Sequence, residues 1–287
     1  MSSRKNLYRN LILVAVAGLL FAPMQTENLW WREVINSGHT VLFFFLFFII
    51  YPQVKVRARS SNVLTVYLYV LIIGLLLGVV IEVLQSLSQR ESSLNDLYSN
   101  FFGIMAGLCV HAAFTAKNIY YKKTIAALLI IASVSFLLLG ITPLLRLSWH
   151  YIERAEAFPV IMDFDSSWSG SFVQYNEGRY PGVSIIEPEP DWSDYRKLRV
   201  SIHSVSERDI SLVLRVHDKT HNQEHEDRFN MKLQIKPGFN EFQIPLIKIR
   251  QGPAGRELDM KNIAGIIVFS GRSKDWAQVQ VGNLSLE

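Results

Sequence analysis

Six polar side chains lie near the ends of long apolar segments, and their types and spacing are suited to chemistry. They are His39, Glu82, Gln85, Arg90, Asp96 and Asn100. Carboxylates can act as a general base or hold a metal ion, and a histidine can serve as a second proton carrier. An arginine suits a phosphate, because its guanidinium group binds phosphate in a bidentate manner. The set is therefore typical of a site for a polar, phosphate-bearing group.

Two interpretations of this set remain open. In the first, Glu82, Arg90 and Asp96 pair with one another, and a hydrogen bond from Asn100 across the helix hairpin completes a structural lock. In the second, the residues form a site for a headgroup, because polar groups inside a membrane are costly and suggest a function. The catalytic candidates are His39, Glu82 and Asp96, and the binding candidates for a headgroup or phosphate are Gln85, Arg90 and Asn100. We assign no metal ion and no cofactor.

Five apolar segments position these side chains. They are residues 6–23, 36–51, 63–87, 94–114 and 124–145. A helix needs about 20 mostly apolar residues to cross a bilayer. We therefore predict a bundle of five transmembrane helices in residues 1–148.

Basic residues fall on alternate sides of these segments, which orients the predicted bundle. The clusters are Arg4, Lys5 and Arg9, then Lys55, Arg57 and Arg59, then Lys117, Lys122 and Lys123. The positive-inside rule places them, and the N-terminus, in the cytoplasm. The second half of the chain and the six polar side chains are then expected on the outer side. The net charge of +4 reflects the basic cytoplasmic loops, which face an anionic lipid leaflet. We therefore predict no nucleic-acid partner.

Glycines extend the polar faces of the third and fourth segments. Gly74 and Gly78 precede Glu82 at four-residue spacing, and Gly103 and Gly107 follow Asn100. Small residues at this spacing let membrane helices approach closely. We therefore expect the two segments to form a tight hairpin in which the polar ends of the two glycine faces meet beneath the turn at residues 89–95.

The polar positions also carry a family resemblance. They occur in the order His39, Glu82-x-x-Gln85, Arg90 and Asp96-x-x-x-Asn100-x-x-Gly103. This order resembles the VanZ-like family of bacterial membrane proteins over about residues 30–115. The resemblance implies a role in the cell envelope, in a family named after low-level glycopeptide resistance, but no defined reaction.

The second half of the chain is predicted to be a β-sandwich, residues 159–287, after a juxtamembrane connector, residues 149–158. Short alternating segments with turns between them predict strands near 198–202, 211–216, 229–235, 238–244, 263–269 and 278–286. Trp149 and Tyr151 of the connector suit the membrane interface. The single cysteine, Cys109, excludes an intramolecular disulfide, so the sandwich must rely on its own core.

Segments in this half resemble the galactose-binding-like jelly rolls of carbohydrate-binding modules. The similar segments are residues 162–164, 191–198, 226–230, 237–240, 244–246 and 281–286. The resemblance implies a jelly roll and a possible sugar site made of aromatic platforms and polar partners. The platform candidates are Trp168, Tyr175, Tyr180 and Trp192, and the polar candidates are Asp227, Arg228 and Asn230. Each aromatic could instead pack in the core, and Asp227 and Arg228 could be a structural pair at a strand start.

The histidine-rich segment 217–225 would have zinc-binding spacing only on a helix. It lies between two predicted strands, so we predict a solvated hairpin tip without a metal ion.

Motifs for nucleotide binding, a serine nucleophile or a zinc protease are absent from the sequence. Five helices are also too few for a transporter built of repeats. We therefore predict an envelope protein of the plasma membrane that engages a lipid-linked or phosphate-bearing saccharide at the outer face, with membrane lipid and polysaccharide as partners. The alternative is a non-enzymatic membrane-anchored adaptor whose sandwich binds a protein or a glycan.

Overall fold

The computed structural model describes residues 28–58, 62–86, 94–115 and 122–287, and it divides the chain into two compact units. The first unit is Met1–Leu147 and the second is Ser148–Glu287. The first predicted apolar segment, residues 6–23, lies outside the described residues.

Within the described residues of the first unit, four helices are long and apolar enough to cross a membrane. They are α1 Leu29–Arg57, α2 Val63–Ser86, α3 Leu94–Thr115 and α4 Lys122–Gly140. Helix α1 is longer than the predicted segment 36–51. Its start is fixed by Asn28, whose side chain accepts a hydrogen bond of 3.1 Å from the amide of Trp31 and so satisfies one of the open N–H groups of the first turn.

The helices bury an aromatic core and expose apolar side chains on the outside. Phe43 and Phe47 of α1 are fully buried, together with Ile104 of α3. Leu64 and Ile131, on α2 and α4, are largely exposed. A bundle with apolar residues on both its inside and its outside is suited to a lipid environment.

Close approach between helices depends on glycines of α2 and α3. A side chain at Gly103 would meet the backbone of α1, at 2.9 Å from the amide nitrogen of Phe44, and one at Gly107 would meet Phe47. The glycines of α2 do face α3, where Gly78 contacts Asn100. The polar ends of the two faces therefore meet as predicted, with Asn100 against Gly78 and the carboxylates of Glu82 and Asp96 close together, but Gly103 and Gly107 do not face α2. The glycine face of α3 instead admits α1.

The fifth predicted segment, residues 124–145, is interrupted. Helix α4 ends at Gly140, and after a turn at Ile141 a new helix, α5 Thr142–Ala157, begins. The predicted connector is thus helical along most of its length.

The part of α5 that belongs to the second unit packs against the β-structure. Arg154 is buried, stacks on the ring of Phe172 with its Cζ atom 3.8 Å from the ring centre, and donates a hydrogen bond of 2.6 Å to the carbonyl of Glu187. Tyr151 also contacts Phe172, and its hydroxyl donates to the carboxylate of Glu187. Tyr151 was expected at the membrane interface, but its ring is part of this packing, whereas Trp149 is exposed.

The second unit is a sandwich-like arrangement of two antiparallel sheets. Its strands are β1 Val160–Met162, β2 Val173–Asn176, β3 Gly182–Ile186, β4 Lys197–Ser204, β5 Ile210–Asp218, β6 Phe229–Ile235, β7 Gly238–Pro245, β8 Ile263–Phe269 and β9 Val279–Leu286. Short helices α6 Leu246–Arg250 and α7 Ser273–Trp276 lie between strands. One sheet has the order β1-β9-β4-β7 and the other the order β2-β3-β8-β5-β6.

Alternation along the strands produces the core of this unit. On β5, Leu212, Leu214 and Val216 are fully buried, and the intervening residues are less so. Successive side chains of a strand point to opposite faces. One face of the five-stranded sheet therefore fills the core, and the other is directed away from it.

Candidate functional site

Five of the six polar residues picked out in the sequence converge in the first unit. We call His39, Glu82, Gln85, Asp96 and Asn100 the polar cluster. His39 lies in the first half of α1, Glu82 and Gln85 lie in the last turns of α2, and Asp96 and Asn100 lie in the first turns of α3. The sixth, Arg90, lies outside the described residues.

The geometry of the cluster is set by α1 and α3. The Nδ1 atom of His39 lies 3.2 Å from Oδ1 of Asn100. His39 is 2% exposed and Asn100 is completely buried. The close contact of α1 with Gly103 allows this approach, because a larger residue at that position would meet the backbone of α1.

The ionisable members of the cluster come from three different helices. One ring nitrogen of His39 and one carboxylate oxygen each from Glu82 and Asp96 lie within 4.8 Å of one another. Asp96 and Gln85 are buried, and Glu82 is half-buried. Such a group can exchange a proton between histidine and carboxylate, accept hydrogen bonds from a polyol, or hold a divalent cation through its nitrogen and oxygen donors.

Sequence reasoning missed three further polar groups in this region. Ser37 and Thr40 are buried on α1 within a turn of His39, and Ser99 is buried beside Asn100 on α3. The signal that could have found them is a small hydroxyl residue adjacent to an ionisable one within an apolar segment. They increase the polarity of the surroundings of the cluster.

A second polar group, also missed, lies elsewhere in the bundle. The hydroxyl of Tyr67 lies 2.8 Å from Nδ1 of His111, whose ring packs on Tyr51 with centroids 4.0 Å apart. The ammonium of Lys55 lies 5.9 Å from the centre of the Tyr51 ring. This group is aromatic and has no carboxylate among these four residues, so it lacks the acid–base pairing of the polar cluster.

In the second unit, the structure corrects two of the four predicted aromatic platforms. Trp192 is completely buried, with its indole N–H donating to the carbonyl of Glu189 at 2.7 Å, and Trp168 is only 5% exposed. Both rings are used for core packing, the alternative stated for each of them. Neither presents a ring face to a sugar.

The other two predicted platforms are exposed, but on different faces. Tyr175 is 68% exposed and pairs with Val183, so it lies on the core-facing side of the edge strand β2. Tyr180 is 52% exposed and contacts Phe269 edge-on, with ring centroids 5.9 Å apart. Phe269 alternates with the buried Val268 on β8, so Tyr180 borders the face directed away from the core.

We call this second surface the open face of the five-stranded sheet. The pairing of Ser184 with Ile267, of Ile267 with Arg215, and of Arg215 with Asn230 places these side chains in one row across it. The open face comprises Ser184, Gly265, Ile267, Phe269, Val213, Arg215, His217, Arg228, Asn230 and Lys232, with Tyr180 at its border. The guanidinium carbon of Arg215 lies 5.0 Å from the centre of the Phe269 ring.

Two of the three predicted polar partners lie on this face, and the third, Asp227, is bound by an arginine. Arg228 and Asn230 are on the open face, where the amide of Asn230 donates to the carbonyl of His225 at 3.0 Å. Asp227 pairs with Arg256 through its carboxylate. The suggested structural pair of Asp227 with Arg228 is therefore wrong.

Arg256 forms ion pairs with two acidic residues, Asp218 and Asp227, and so connects the segments that contain them at one end of the sheet. Its guanidinium donates to both carboxylate oxygens of Asp218, at 2.7 and 3.0 Å, and its Nε donates to Asp227. Hydrogen bonds from Arg256 and from the amide of Asn222 lower the pKa of Asp227 to about 2. Burial alone would raise the pKa of Asp218, but the hydrogen bonds from Arg256 and Asp259 bring it below its ordinary value.

The histidine-rich segment is spread over different environments. The side chain of His217 lies on the open face, and His225 is exposed to solvent. The Nδ1 atom of His221 lies 3.1 Å from the carbonyl oxygen of Asp227. The rings of His217 and His221 are 5.2 Å apart. The three residues therefore do not form one face.

An open pocket of about 610 Å³ lies elsewhere in the second unit, between residues 192–196 and 246–261. Two of its charged lining residues, Arg250 and Glu257, bond to each other at 2.7 Å. These two charged groups of the pocket lining therefore already pair with each other.

A comparison with protein-family models finds one match in the first part of the chain. Residues 2–115 match the family model VanZ/LLP1, so the VanZ-like resemblance predicted from the polar positions is confirmed. The match and the four apolar helices identify a membrane protein. No curated protein sequence matches the chain.

Solved structures similar to this chain match part of it. One is a family 11 carbohydrate-binding module from Clostridium thermocellum in complex with a β-1,3-1,4-mixed-linked tetrasaccharide, with 21% identity, 37% of this chain and 67% of that chain covered, and a TM-score of 0.31. Another is an exo-β-agarase, with 16% identity, 45% of this chain covered and a TM-score of 0.34. The match spans only 24% of the agarase chain.

Proposed function

We propose that this protein is a multi-pass protein of the bacterial plasma membrane that engages a lipid-linked or phosphate-bearing saccharide. In this proposal residues 6–23 add a fifth membrane helix, the N-terminus is cytoplasmic, and the second unit is an extracytoplasmic jelly roll. The charge pattern of the inter-helix segments supports the orientation. The VanZ-like match of residues 2–115 supports the envelope role.

The observation that carries the proposal is the convergence of His39, Glu82 and Asp96 from three helices. Ionisable side chains in a membrane are expensive and face a site or a pathway when they are present. A lock between α1 and α3 needs only the hydrogen bond from His39 to Asn100. The two carboxylates add charge that such a lock does not require, and a binding role accounts for that charge.

The chemistry of the cluster fits a sugar phosphate carried on a lipid. Carboxylates accept hydrogen bonds from sugar hydroxyl groups, and His39 can donate or accept a proton. In the proposal Arg90 binds the phosphate, because a guanidinium group binds phosphate in a bidentate manner. The apolar outer surfaces of α2 and α4 would accommodate the lipid chains.

The second unit contributes a glycan-binding surface in this proposal. The open face combines the aromatic rings of Tyr180 and Phe269 with the side-chain amide of Asn230 and the guanidinium group of Arg215. Aromatic rings that stack on sugars, combined with hydrogen-bonding side chains, are the elements that a glycan site requires.

Native mass spectrometry of the full chain extracted in detergent tests the proposal through its bound lipid. We expect a co-purifying phosphate-bearing lipid in the wild type, and its loss in Glu82→Gln and Asp96→Asn variants that remain folded. Glu177→Gln, at an exposed position, is the matched control and should retain the lipid. If both cluster variants retain the lipid, the cluster is structural, and a non-enzymatic adaptor with a binding sandwich becomes the better interpretation.

A further inference from the structure

Three cationic or protonatable side chains are adjacent on the open face. Arg215 pairs with Asn230 across strands β5 and β6, and Val216 pairs with Phe229. The next position in this register brings His217 of β5 beside Arg228. The three side chains therefore occupy one end of the open face.

These side chains have buried nitrogen atoms without hydrogen-bond partners. Within the part of the chain that the structure describes, Nε of Arg215, Nδ1 of His217 and Nε of Arg228 are buried and make no hydrogen bond. A buried donor without a partner costs free energy that a ligand can recover. An acceptor that reached these atoms would recover this free energy.

The two arginines of the open face are not ion-paired with a carboxylate among the described residues. Among the described residues, neither Arg215 nor Arg228 makes an ion pair, whereas the nearby Arg256 pairs with both Asp218 and Asp227. Arg256 is therefore neutralised by two carboxylates, whereas Arg215 and Arg228 of the open face have no ion-pair partner among the described residues.

Burial and neighbouring charges both act on the two arginines. Burial, and then the charge of Arg228, lower the pKa of Arg215. Burial also lowers the pKa of Arg228, against the opposing effect of the exposed Glu224. The carboxylate of Asp218 adjoins His217, but it is bound by Arg256. An anion on this surface would relieve repulsion between the arginines.

We propose that the open face binds an acidic glycan, with Arg215 and Arg228 on the anionic group and Tyr180 against the sugar ring. This inference rests on the proposed glycan-binding role of the second unit and names its ligand class. A guanidinium group binds a carboxylate or a phosphate in a bidentate manner. Arg215 is already held against Phe269, so part of its side-chain entropy is lost before the ligand arrives.

Calorimetric titration of the full chain in detergent with three polymers tests this proposal. Polygalacturonate carries carboxylates, its fully methyl-esterified form has the same backbone without charge, and dextran phosphate carries phosphates on a sugar backbone. We expect at least one of the two acidic polymers to bind about tenfold more tightly than the ester, as charge-assisted hydrogen bonds predict. Which acidic polymer binds identifies the anionic group.

The variants Arg215→Gln and Arg228→Gln should each weaken acidic-polymer binding by about tenfold or more. Arg199→Gln, on the four-stranded sheet and ion-paired with Glu287, removes the same charge and should leave binding unchanged. Thermal unfolding of each variant checks its folding.

Three results would overturn the inference. Equal binding of the acidic and esterified polymers would show recognition of a neutral glycan. Equal weakening by Arg199→Gln would show a non-specific charge effect. Failure of all three polymers to bind would exclude the acidic-glycan site. The proposed function fails separately, if mass spectrometry finds no bound lipid in the wild type or finds the same lipid in the Glu82→Gln and Asp96→Asn variants.

Discussion

The side chain of His39 contacts that of Asn100 with 3.2 Å between Nδ1 and Oδ1, across 61 positions of sequence. The two residues belong to α1 and α3, and both are buried. Asn100 also lies against Gly78 of α2. One amide thus contacts two neighbouring helices and fixes the position of His39 beside the carboxylates.

Replacing Asn100 with leucine should lower bundle stability by about 1 kcal/mol, a typical magnitude for a side-chain hydrogen bond in a membrane protein. Leucine keeps a similar size but cannot accept the hydrogen bond from His39. Thermal unfolding in detergent measures the change. Tyr98→Leu, at an exposed position on the same helix, should have little effect. Equal stability of the wild type and Asn100→Leu would show that the pair does not hold α1 to α3.

Replacing Gly103 with alanine should be more damaging than replacing Gly74. A Cβ atom at Gly103 meets the backbone of α1, which cannot move locally, whereas one at Gly74 meets the flexible end of Ile104. Overpacking against an inflexible neighbour costs about 1–3 kcal/mol. Detergent melting temperatures of the two variants provide the comparison. A Gly74→Ala loss as large as that of Gly103→Ala would contradict the assigned helix contacts.

Replacing Arg256 with methionine should destabilise the second unit by about 3–5 kcal/mol. The change leaves the carboxylate of Asp218, whose side chain is fully buried, without its charged partner. Hydrogen exchange of peptides from the second unit, measured on the full chain, reports the local loss. The exposed pair of Arg250 and Glu257 offers the control, since Arg250→Met should cost no more than about 1 kcal/mol.

Acid should weaken the second unit as the carboxylates bound to Arg256 become protonated. The pKa of Asp227 is about 2 in the fold, below its ordinary 3.8, and that of Asp218 is also lowered. A lowered carboxylate pKa stabilises the fold above the unfolded pKa, and this stability is lost as the pH falls from about 4 towards 2. Hydrogen exchange across this range should show a smaller acid effect in Arg256→Met. An identical decline in both proteins would mean that the Arg256 pairs do not govern it.

His217 should add a second pH dependence, between about pH 6.5 and 4. Burial, and then the proximity of His221, Arg215 and Arg228, lower the pKa of His217 to about 4. The unfolded chain therefore binds a proton before the folded chain does, and stability decreases as the pH falls through this window. His217→Gln should flatten the decline in hydrogen-exchange protection, while His203→Gln, at an exposed position, should preserve it. A decline that persists unchanged in His217→Gln would contradict the burial of its neutral ring.

Local patterns in the sequence were sufficient for most elements. Strands predicted at 211–216, 229–235 and 263–269 correspond to Ile210–Asp218, Phe229–Ile235 and Ile263–Phe269. Segments 63–87 and 94–114 correspond to Val63–Ser86 and Leu94–Thr115. Hydrophobic period and length are properties of consecutive residues, so a single sequence carries them.

The break at Gly140 was not predictable in the same way. Apolar residues continue beyond it, so hydropathy alone extends the predicted segment to residue 145. The structure ends α4 there and begins α5 after Ile141. In the structure Gly140 packs against Thr40 of α1, where a side chain would collide, so a contact between helices, absent from the local pattern, distinguishes this position.

The amino-acid sequence by itself determined the apolar spans, the alternating strands and the identity of the polar cluster, because these depend on residue type and spacing along the chain. Only the tertiary structure decided that Gly103 admits α1, that Trp192 is buried while Tyr180 is exposed, and that Asp227 pairs with Arg256. Those outcomes depend on how each helix is rotated about its axis and on which strands become neighbours. Both are set by packing between residues far apart in sequence.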